Sequence, residues 1–91
     1  MKIIMVKREY KVIDEAGLHA RPASIMVEKA SGFSNNIYLM HEDKKVTMKS
    51  IMLVMSLGIA QGSTFNIGVE GKDADNVLDT LETVLKTHKI I

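Results

Sequence analysis

A histidine and an arginine lie close together just ahead of a predicted helix. His19 and Arg21 are separated by one residue within the string GLHARPAS, which begins at Gly17. Pro22 follows, and proline is tolerated in the first turn of a helix because the N–H that it lacks has no partner there. The spacing therefore predicts a helix that begins near Pro22, with the imidazole and the guanidinium at its N-terminal end.

These residue types suit the handling of a phosphoryl group. The ordinary pKa of histidine, about 6.5, leaves an imidazole mostly neutral, and so nucleophilic, near neutral pH. The first N–H groups of a helix lack internal partners and favour an anion beside them. If a phosphoryl group were attached to His19, the N–H groups of Ala20 and Arg21 would be its nearest backbone donors, and the Arg21 side chain could bind it as well. The N–H groups of Ala23 and Ser24 would come next.

The sequence contains no nucleotide site of its own. It has no GxxxxGK[ST] loop and no carboxylate pair beside a glycine-rich turn that could hold Mg²⁺. We therefore expect no cofactor, and we predict that any phosphoryl group on His19 comes from another protein. Judged by spacing alone, a loop histidine is more often simply a surface residue, so both interpretations stay open at this point. His41 and His88 have no motif around them and predict no metal site.

Length and composition limit the class of protein. The chain has 91 residues, which predicts one domain over residues 1–91. Twelve Lys and Arg against eleven Asp and Glu give a formal charge of +1, too balanced for binding driven by nucleic-acid phosphates or for a polybasic membrane anchor. There is no cysteine, and no apolar stretch approaches the length of about 20 residues that spans a membrane. These features predict a cytoplasmic monomer.

The periodicity of apolar residues predicts seven elements. Strands are expected over residues 8–13, 37–40, 45–48 and 64–70. Helices are expected over residues 22–31 and 51–57 and from Asp73 or Ala74 to His88. Gly32 is expected to stop the first helix as its C′ residue. The order β-α-β-β-α-β-α predicts an α+β fold, with an antiparallel sheet that carries its three helices on one face.

The second predicted helix combines a serine cap with an apolar surface. Ser50 is placed to act as its N-cap, a role worth about 1 kcal/mol. Two helical turns cannot bury all of the apolar side chains that follow, so an exposed apolar patch is expected close to His19. The candidates for that patch are Met48, Ile51, Met52 and Met55. Flexible methionines suit a surface that meets several partners, whereas Val54 and Leu57 are expected in the core.

Two strings at matching spacing resemble a known family. GLHARPAS and the downstream KSIMLVMSLGIAQGS resemble the histidine-containing phosphocarrier (HPr) family of the phosphoenolpyruvate-dependent sugar phosphotransferase system, with similarity over residues 8–86. The resemblance implies an open-faced β-sandwich whose four-stranded antiparallel sheet has the order 1-4-2-3. It also implies that Nδ1 of His19 is phosphorylated by phospho-enzyme I and passes the group to IIA domains of sugar transporters, with assistance from Arg21.

The resemblance further implies regulation at Ser50. An ATP-dependent HPr kinase/phosphorylase would phosphorylate this serine, and a catabolite-control transcription factor would be a further partner. A phosphate there would face the positive end of the short helix, so the fold should tolerate it. The helix that Ser50 begins is the one that the family uses for docking.

The chain departs from the family pattern at three places. Ala16 stands where many relatives have Ser, Thr or Asn, so a polar contact that could orient the histidine is missing. Leu53 replaces a glycine that is usual in the Gram-positive version of the second string. Residues 1–4 precede the usual start, and Met5 is a plausible initiator; we expect residues 1–4 to be frayed or to lie ahead of the true start.

Two other functions remain as alternatives. Some HPr-like paralogues have lost the histidine and act only as regulators through the phosphorylated serine, although the presence of His19 argues against that as the sole role here. A nucleic-acid-binding domain on the same scaffold would need aromatic side chains on the open sheet face and a basic stripe. The chain has only two Tyr and two Phe and no Trp, which counts against that class.

Overall fold

The structure is a computed structural model that describes residues 4–91. Within that range the elements, in chain order, are strand β1 (Met5–Lys11), helix α1 (Ala20–Ser31), strands β2 (Ile37–His41) and β3 (Lys44–Thr47), helix α2 (Ile51–Ser56), strand β4 (Thr64–Glu70) and helix α3 (Ala74–Thr87). The predicted α+β class and element order are confirmed. The expected N-terminal extension, residues 1–4, lies outside the described residues except for Ile4.

The strands form one antiparallel sheet with the order β1-β4-β2-β3, as the family resemblance implied. Strand β4 lies inside the sheet and pairs with β1 on one side and with β2 on the other. Strand β1 begins at Met5 and ends at Lys11, so the predicted range of residues 8–13 was displaced toward the C-terminus. The reason is that pairing with β4 continues back to Met5, which lies opposite Glu70.

One face of the sheet is apolar and is covered by the helices, which leaves the fold open-faced. Ile37 and Leu39 of β2 and Phe65 and Ile67 of β4 alternate along their strands and are buried. The helices contribute side chains at helical spacing, namely Ala23, Met26, Val27 and Ala30 from α1 and Val77, Leu78, Leu81 and Leu85 from α3. This core holds α1 and α3 in fixed positions against the sheet.

Polar contacts fasten α3 to the edge strand β1. Nη1 of Arg8 donates a hydrogen bond of 2.8 Å to Oδ1 of Asp79, and the hydroxyl of Tyr10 donates one of 3.0 Å to Oε1 of Glu82. Partial burial together with the bond to Glu82 raises the pKa of Tyr10 to about 12. The hydrogen bond from Tyr10 in turn lowers the pKa of Glu82.

Both ends of α1 differ from the prediction. The helix begins at Ala20 rather than near Pro22, so Pro22 is its third residue. The N–H groups of the first three helical residues all lack internal partners, and a proline therefore fits at any of these three positions. Gly32 was wrongly expected as a C′ residue: it is the C-cap, with a right-handed φ of −76°. In contrast, Gly58 follows α2 with a φ of +61°, as a stop glycine does.

Candidate functional site

A tightly packed loop carries His19 to the N-terminus of α1. Gly17 in that loop has a φ of +70°, and a Cβ atom at this position would collide with the carbonyl oxygen of Ile59. The next residue, Leu18, is buried and donates a backbone hydrogen bond of 2.9 Å to the same oxygen. Only glycine allows this close approach without strain. The backbone that leads into His19 is therefore held in a fixed position.

His19 is the N-cap residue of α1, yet its side chain does not cap the helix. Its backbone is extended, with φ −81° and ψ −168°, and no hydrogen bond joins the ring to the helix N–H groups. The imidazole is 39% exposed, and its Nε2 atom lies 3.5 Å from Oδ1 of Asp14. The ring is thus accessible to another protein while one of its nitrogens faces a carboxylate.

Asp14 connects the two side chains that the sequence singled out. Its Oδ1 accepts a hydrogen bond of 3.0 Å from the N–H of Ala16, and its Oδ2 accepts one of 3.1 Å from Nη2 of Arg21. The Ala16 N–H, then the nearby His19 ring and the Arg21 guanidinium, lower the pKa of this carboxyl group against the opposing effect of partial burial. Asp14 is therefore an anion fixed between His19 and Arg21.

Sequence reasoning did not identify Asp14 as part of the site. An aspartate at the start of a loop could have predicted the turn in which its side chain accepts a hydrogen bond from the N–H two residues later, that of Ala16. It could not have predicted the contact with His19, because that contact depends on how the loop folds back over Gly17.

Two backbone donors are open beside His19. Within residues 4–91, the N–H groups of Ala20 and Arg21 donate no hydrogen bond, as expected for the first two positions of a helix. The prediction for Ala23 was wrong, because its N–H donates a bond of 2.9 Å to the carbonyl oxygen of His19. Pro22 has no N–H, so an anion beside His19 would meet the amides of Ala20 and Arg21. The Arg21 side chain is 54% exposed and can turn toward it.

Ser50 caps α2, as predicted. Its side-chain oxygen accepts a hydrogen bond of 3.3 Å from the N–H of Leu53. The Ser50 backbone is extended, and its carbonyl oxygen accepts the first helical bond from Val54 at 3.0 Å. The serine is partly exposed and lies at the N-terminus of a helix of six residues.

An exposed apolar surface follows Ser50 along α2. We call this surface the α2 patch; its residues are Ile51, Met52, Leu53 and Met55. Met52 is 83% exposed, whereas Val54 and Leu57 are buried, as predicted. Leu53 enlarges the patch. Helix α2 contacts α1, and the segment just after α2 holds the His19 loop through Ile59, so the α2 patch and His19 belong to neighbouring parts of the surface.

Met48 was wrongly assigned to the exposed surface. It is fully buried, and its N–H donates a hydrogen bond of 2.8 Å to the carbonyl oxygen of Ile37. This bond extends the pairing of β3 with β2 by one residue, and the side chain at that position lies in the core. Met48 is therefore not available to a partner.

The other histidines lie apart from this site. Nδ1 of His41 is 2.9 Å from the carbonyl oxygen of Thr64 at one end of the sheet, and His88 is the C-cap of α3. Across residues 4–91, no three His, Asp or Glu side chains come together as a metal site would need. In the same range, no helix has both the length and the apolar character needed to cross a bilayer.

This chain is similar to known proteins of one family over most of its length. A family model described as the PTS HPr component phosphorylation site matches residues 6–87. The chain belongs to the HPr family. Family membership and the similar structures described next support a phosphocarrier role in a phosphotransferase system.

Similar solved structures include HPr proteins of known source. The histidine-containing phosphocarrier protein of Mycoplasma has 36% identity and a TM-score of 0.90, with 94% of this chain and 98% of that chain covered. HPr of Bacillus anthracis has 40% identity and a TM-score of 0.80, with 88% of this chain and 95% of that chain covered. Catabolite repression protein Crh of Bacillus subtilis, described as a swapped dimer, has 33% identity and a TM-score of 0.70, with 90% and 94% covered.

Proposed function

We propose that this protein accepts a phosphoryl group on Nδ1 of His19 from phospho-enzyme I and passes it to IIA domains of sugar transporters. The observation that carries the proposal is an exposed imidazole at the N-terminus of α1, beside two N–H groups that donate no hydrogen bond within residues 4–91. The protein acts as a stoichiometric carrier in the cytoplasm, as a monomer and without a cofactor, and is not itself an enzyme.

The contact with Asp14 favours reaction at Nδ1. Because Nε2 of His19 faces the Asp14 carboxylate, a neutral ring is expected to carry its proton on Nε2. The lone pair is then on Nδ1. This nitrogen attacks the phosphorus atom, a bond forms between Nδ1 and phosphorus, and the bond from phosphorus to its donor atom breaks, with the electron pair staying on the donor.

The open end of α1 would stabilise the phosphorylated state. The N–H groups of Ala20 and Arg21 and the guanidinium of Arg21 can donate to the phosphoryl oxygens. Arg21 now binds Asp14, but its exposed side chain can exchange that partner for the new dianion. Onward transfer reverses the chemistry, and the electron pair of the bond between Nδ1 and phosphorus returns to Nδ1.

Ser50 is the proposed regulatory site, phosphorylated with ATP by an HPr kinase/phosphorylase. A phosphate on its side-chain oxygen would lie at the positive end of α2 and directly before the α2 patch. The added charge would weaken docking of partners that bury Ile51, Met52 and Met55, and would favour a partner with basic groups. A catabolite-control transcription factor is the proposed partner of this form.

Phosphorylation by enzyme I tests the carrier function. The protein is incubated with phosphoenolpyruvate and enzyme I, and acid-labile phosphate is measured on the wild type and on His19→Ala. His41→Ala is the matched control, since it also removes an imidazole. We expect phosphate on the wild type and on the control but not on His19→Ala. Equal labelling of His19→Ala and the wild type would rule out His19 as the acceptor.

Phosphorylation by the kinase tests the regulatory arm. Incubation with ATP and an HPr kinase/phosphorylase should give acid-stable phosphate on the wild type and none on Ser50→Ala, with Ser56→Ala as the control serine of the same helix. If acid-stable phosphate forms and acid-labile phosphate never does, the protein is a regulatory module that acts only through phosphorylated Ser50.

A further inference from the structure

Among residues 4–91, Asp14 is the one charged group that forms an ion-pair contact with both His19 and Arg21. Its side chain is only 14% exposed, and the Ala16 N–H and the Arg21 guanidinium hold its two oxygens in place. Nε2 of His19 lies 3.5 Å from Oδ1 of Asp14, within ion-pair distance. When the ring becomes positively charged, a hydrogen bond from Nε2–H to Oδ1 can shorten this distance. The carboxylate is thus preorganised before any phosphoryl group arrives.

We propose that Asp14 is a positioning residue that keeps a proton on Nε2 of His19 throughout both phosphoryl transfers. The inference rests on the proposed function and deepens it. Asp14 does not touch the phosphoryl group, because Nδ1 and Nε2 lie on different edges of the ring. It acts through His19.

The number of protons on the ring decides how readily it releases the phosphoryl group. A neutral ring with its proton on Nε2 attacks through Nδ1 and becomes a positively charged phosphoimidazolium, with no proton gained or lost. When the next acceptor attacks phosphorus, the ring leaves as neutral imidazole and the Nε2 proton has stayed in place. If the phosphorylated ring lost that proton first, it would have to leave as an imidazolate anion, which is a much poorer leaving group. A fixed carboxylate beside Nε2 disfavours that loss.

Two other charged residues lie near His19 in the chain. Arg21 comes from α1, and Glu15 is the neighbouring carboxylate in the loop. Neither α2 nor residues 57–63, which pack against the loop, contain a titratable side chain. The C-terminal segment contacts the loop through the backbone, where the N–H of Ile13 donates a hydrogen bond of 2.9 Å to the carbonyl oxygen of Ile90. Asp14 is therefore the carboxylate with the contact needed to hold the proton.

The test compares Asp14→Asn with the wild type after phosphorylation by enzyme I. Asparagine keeps an oxygen for the Ala16 N–H but removes the charge, and Asp14→Ser gives a second neutral variant that can also accept that N–H. Glu15→Gln is the matched control, since Glu15 is an exposed carboxylate in the same loop. Backbone amide spectra verify that all variants fold.

The readout is the pH at which the phosphorylated ring loses its Nε2 proton, followed by ring ¹⁵N chemical shifts. We expect this midpoint to fall by about one unit in both Asp14 variants and to stay unchanged in Glu15→Gln, and one unit corresponds to about a tenfold change in the protonated fraction. Above the midpoint, transfer to a IIA domain should slow by the same factor, about tenfold.

Two results would overturn the inference. If the wild type accepts phosphate and the Asp14 variants share its midpoint and transfer rate, the carrier function stands and the role of Asp14 falls. If the wild type accepts no phosphate from enzyme I, the proposed function falls and this inference falls with it.

Discussion

The two segments that lead into α1 and α2 treat the ends of their helices in opposite ways. At α2, the Ser50 side chain accepts a hydrogen bond from the N–H of Leu53. At α1, His19 occupies the same N-cap position but makes no such bond, and the amides of Ala20 and Arg21 donate none within the described residues. One helix end is closed by its own chain, and the other is open to a ligand.

The difference follows from how much each helix depends on an N-terminal cap for its stability. Helix α2 has six residues, too few to be stable without outside support, so a cap worth about 1 kcal/mol is significant. Helix α1 has twelve residues and a buried face that packs in the core, so it can leave its end uncapped. Core packing stabilises α1 enough that its N-terminus needs no cap. The reactive histidine lies at that uncapped end.

The largest expected effect concerns the core residue two positions before the α2 cap. Met48→Ala should lower the free energy of unfolding by about 3 kcal/mol, because it leaves a cavity in the core. Met52→Ala, in the α2 patch, should change it by less than about 0.5 kcal/mol. Chemical denaturation of both variants measures the difference. Equal losses would mean that the buried Met48 contributes no more to stability than the exposed Met52, which would contradict its place in the core.

The next effect concerns the loop that holds His19. Gly17→Ala should cost about 2 kcal/mol in unfolding free energy, because the residue has a positive φ and its Cβ would strike the Ile59 carbonyl. Gly62→Ala is the control: its φ is also positive, at +86°, but nothing lies within 4 Å of the added atom. Phosphorylation of His19 should slow only in Gly17→Ala. A cost no greater than that of the control would refute the close-approach argument.

A smaller effect separates the two N-cap residues directly. Ser50→Ala should destabilise the protein by about 1 kcal/mol through loss of the cap. His19→Ala should change stability by less than about 0.5 kcal/mol, since its side chain caps nothing. Thermal and chemical unfolding of the pair give the comparison. A large loss in His19→Ala would show that His19 has a structural role.

The smallest effect is a pH dependence of stability that arises at Asp14. Its pKa is lower in the folded protein than the ordinary value of about 3.9. Its stabilising contribution is therefore complete above that value and is lost as the pH falls through the folded pKa. Glu82, whose pKa is also lowered, contributes in the same direction. Asp14→Asn should flatten the acid side of the stability curve, and an unchanged curve would contradict the fixed carboxylate.

Much of this arrangement was predictable from local patterns. The position of His19 next to a helix N-terminus follows from a proline placed shortly after a loop, and the Ser50 cap follows from a serine ahead of an apolar run. The start of α1 was misplaced by two residues because proline fits several positions of the first turn. The predicted start of β1 at Arg8 was three residues too late. The true start at Met5 is defined by pairing with β4, which no local pattern reveals.

The contacts that complete the site depend on the folded chain. The contact between Asp14 and His19 requires the loop to fold back over Gly17, which in turn requires Ile59 from a distant part of the sequence. Met48 was assigned to the wrong side because a residue at a strand end can face either way, and the hydrogen bond to Ile37 decides the direction. Tertiary packing, rather than propensity, settles both.

We expect the open amides of α1 to receive the phosphoryl group carried by His19. Amide ¹H–¹⁵N spectra before and after phosphorylation by enzyme I test it directly, because a new hydrogen bond to an anion shifts the donor proton. We predict large shifts for Ala20 and Arg21 and a small one for Ala23, whose N–H already has a partner. Phosphorylated protein in which the Ala20 and Arg21 signals do not move would contradict it.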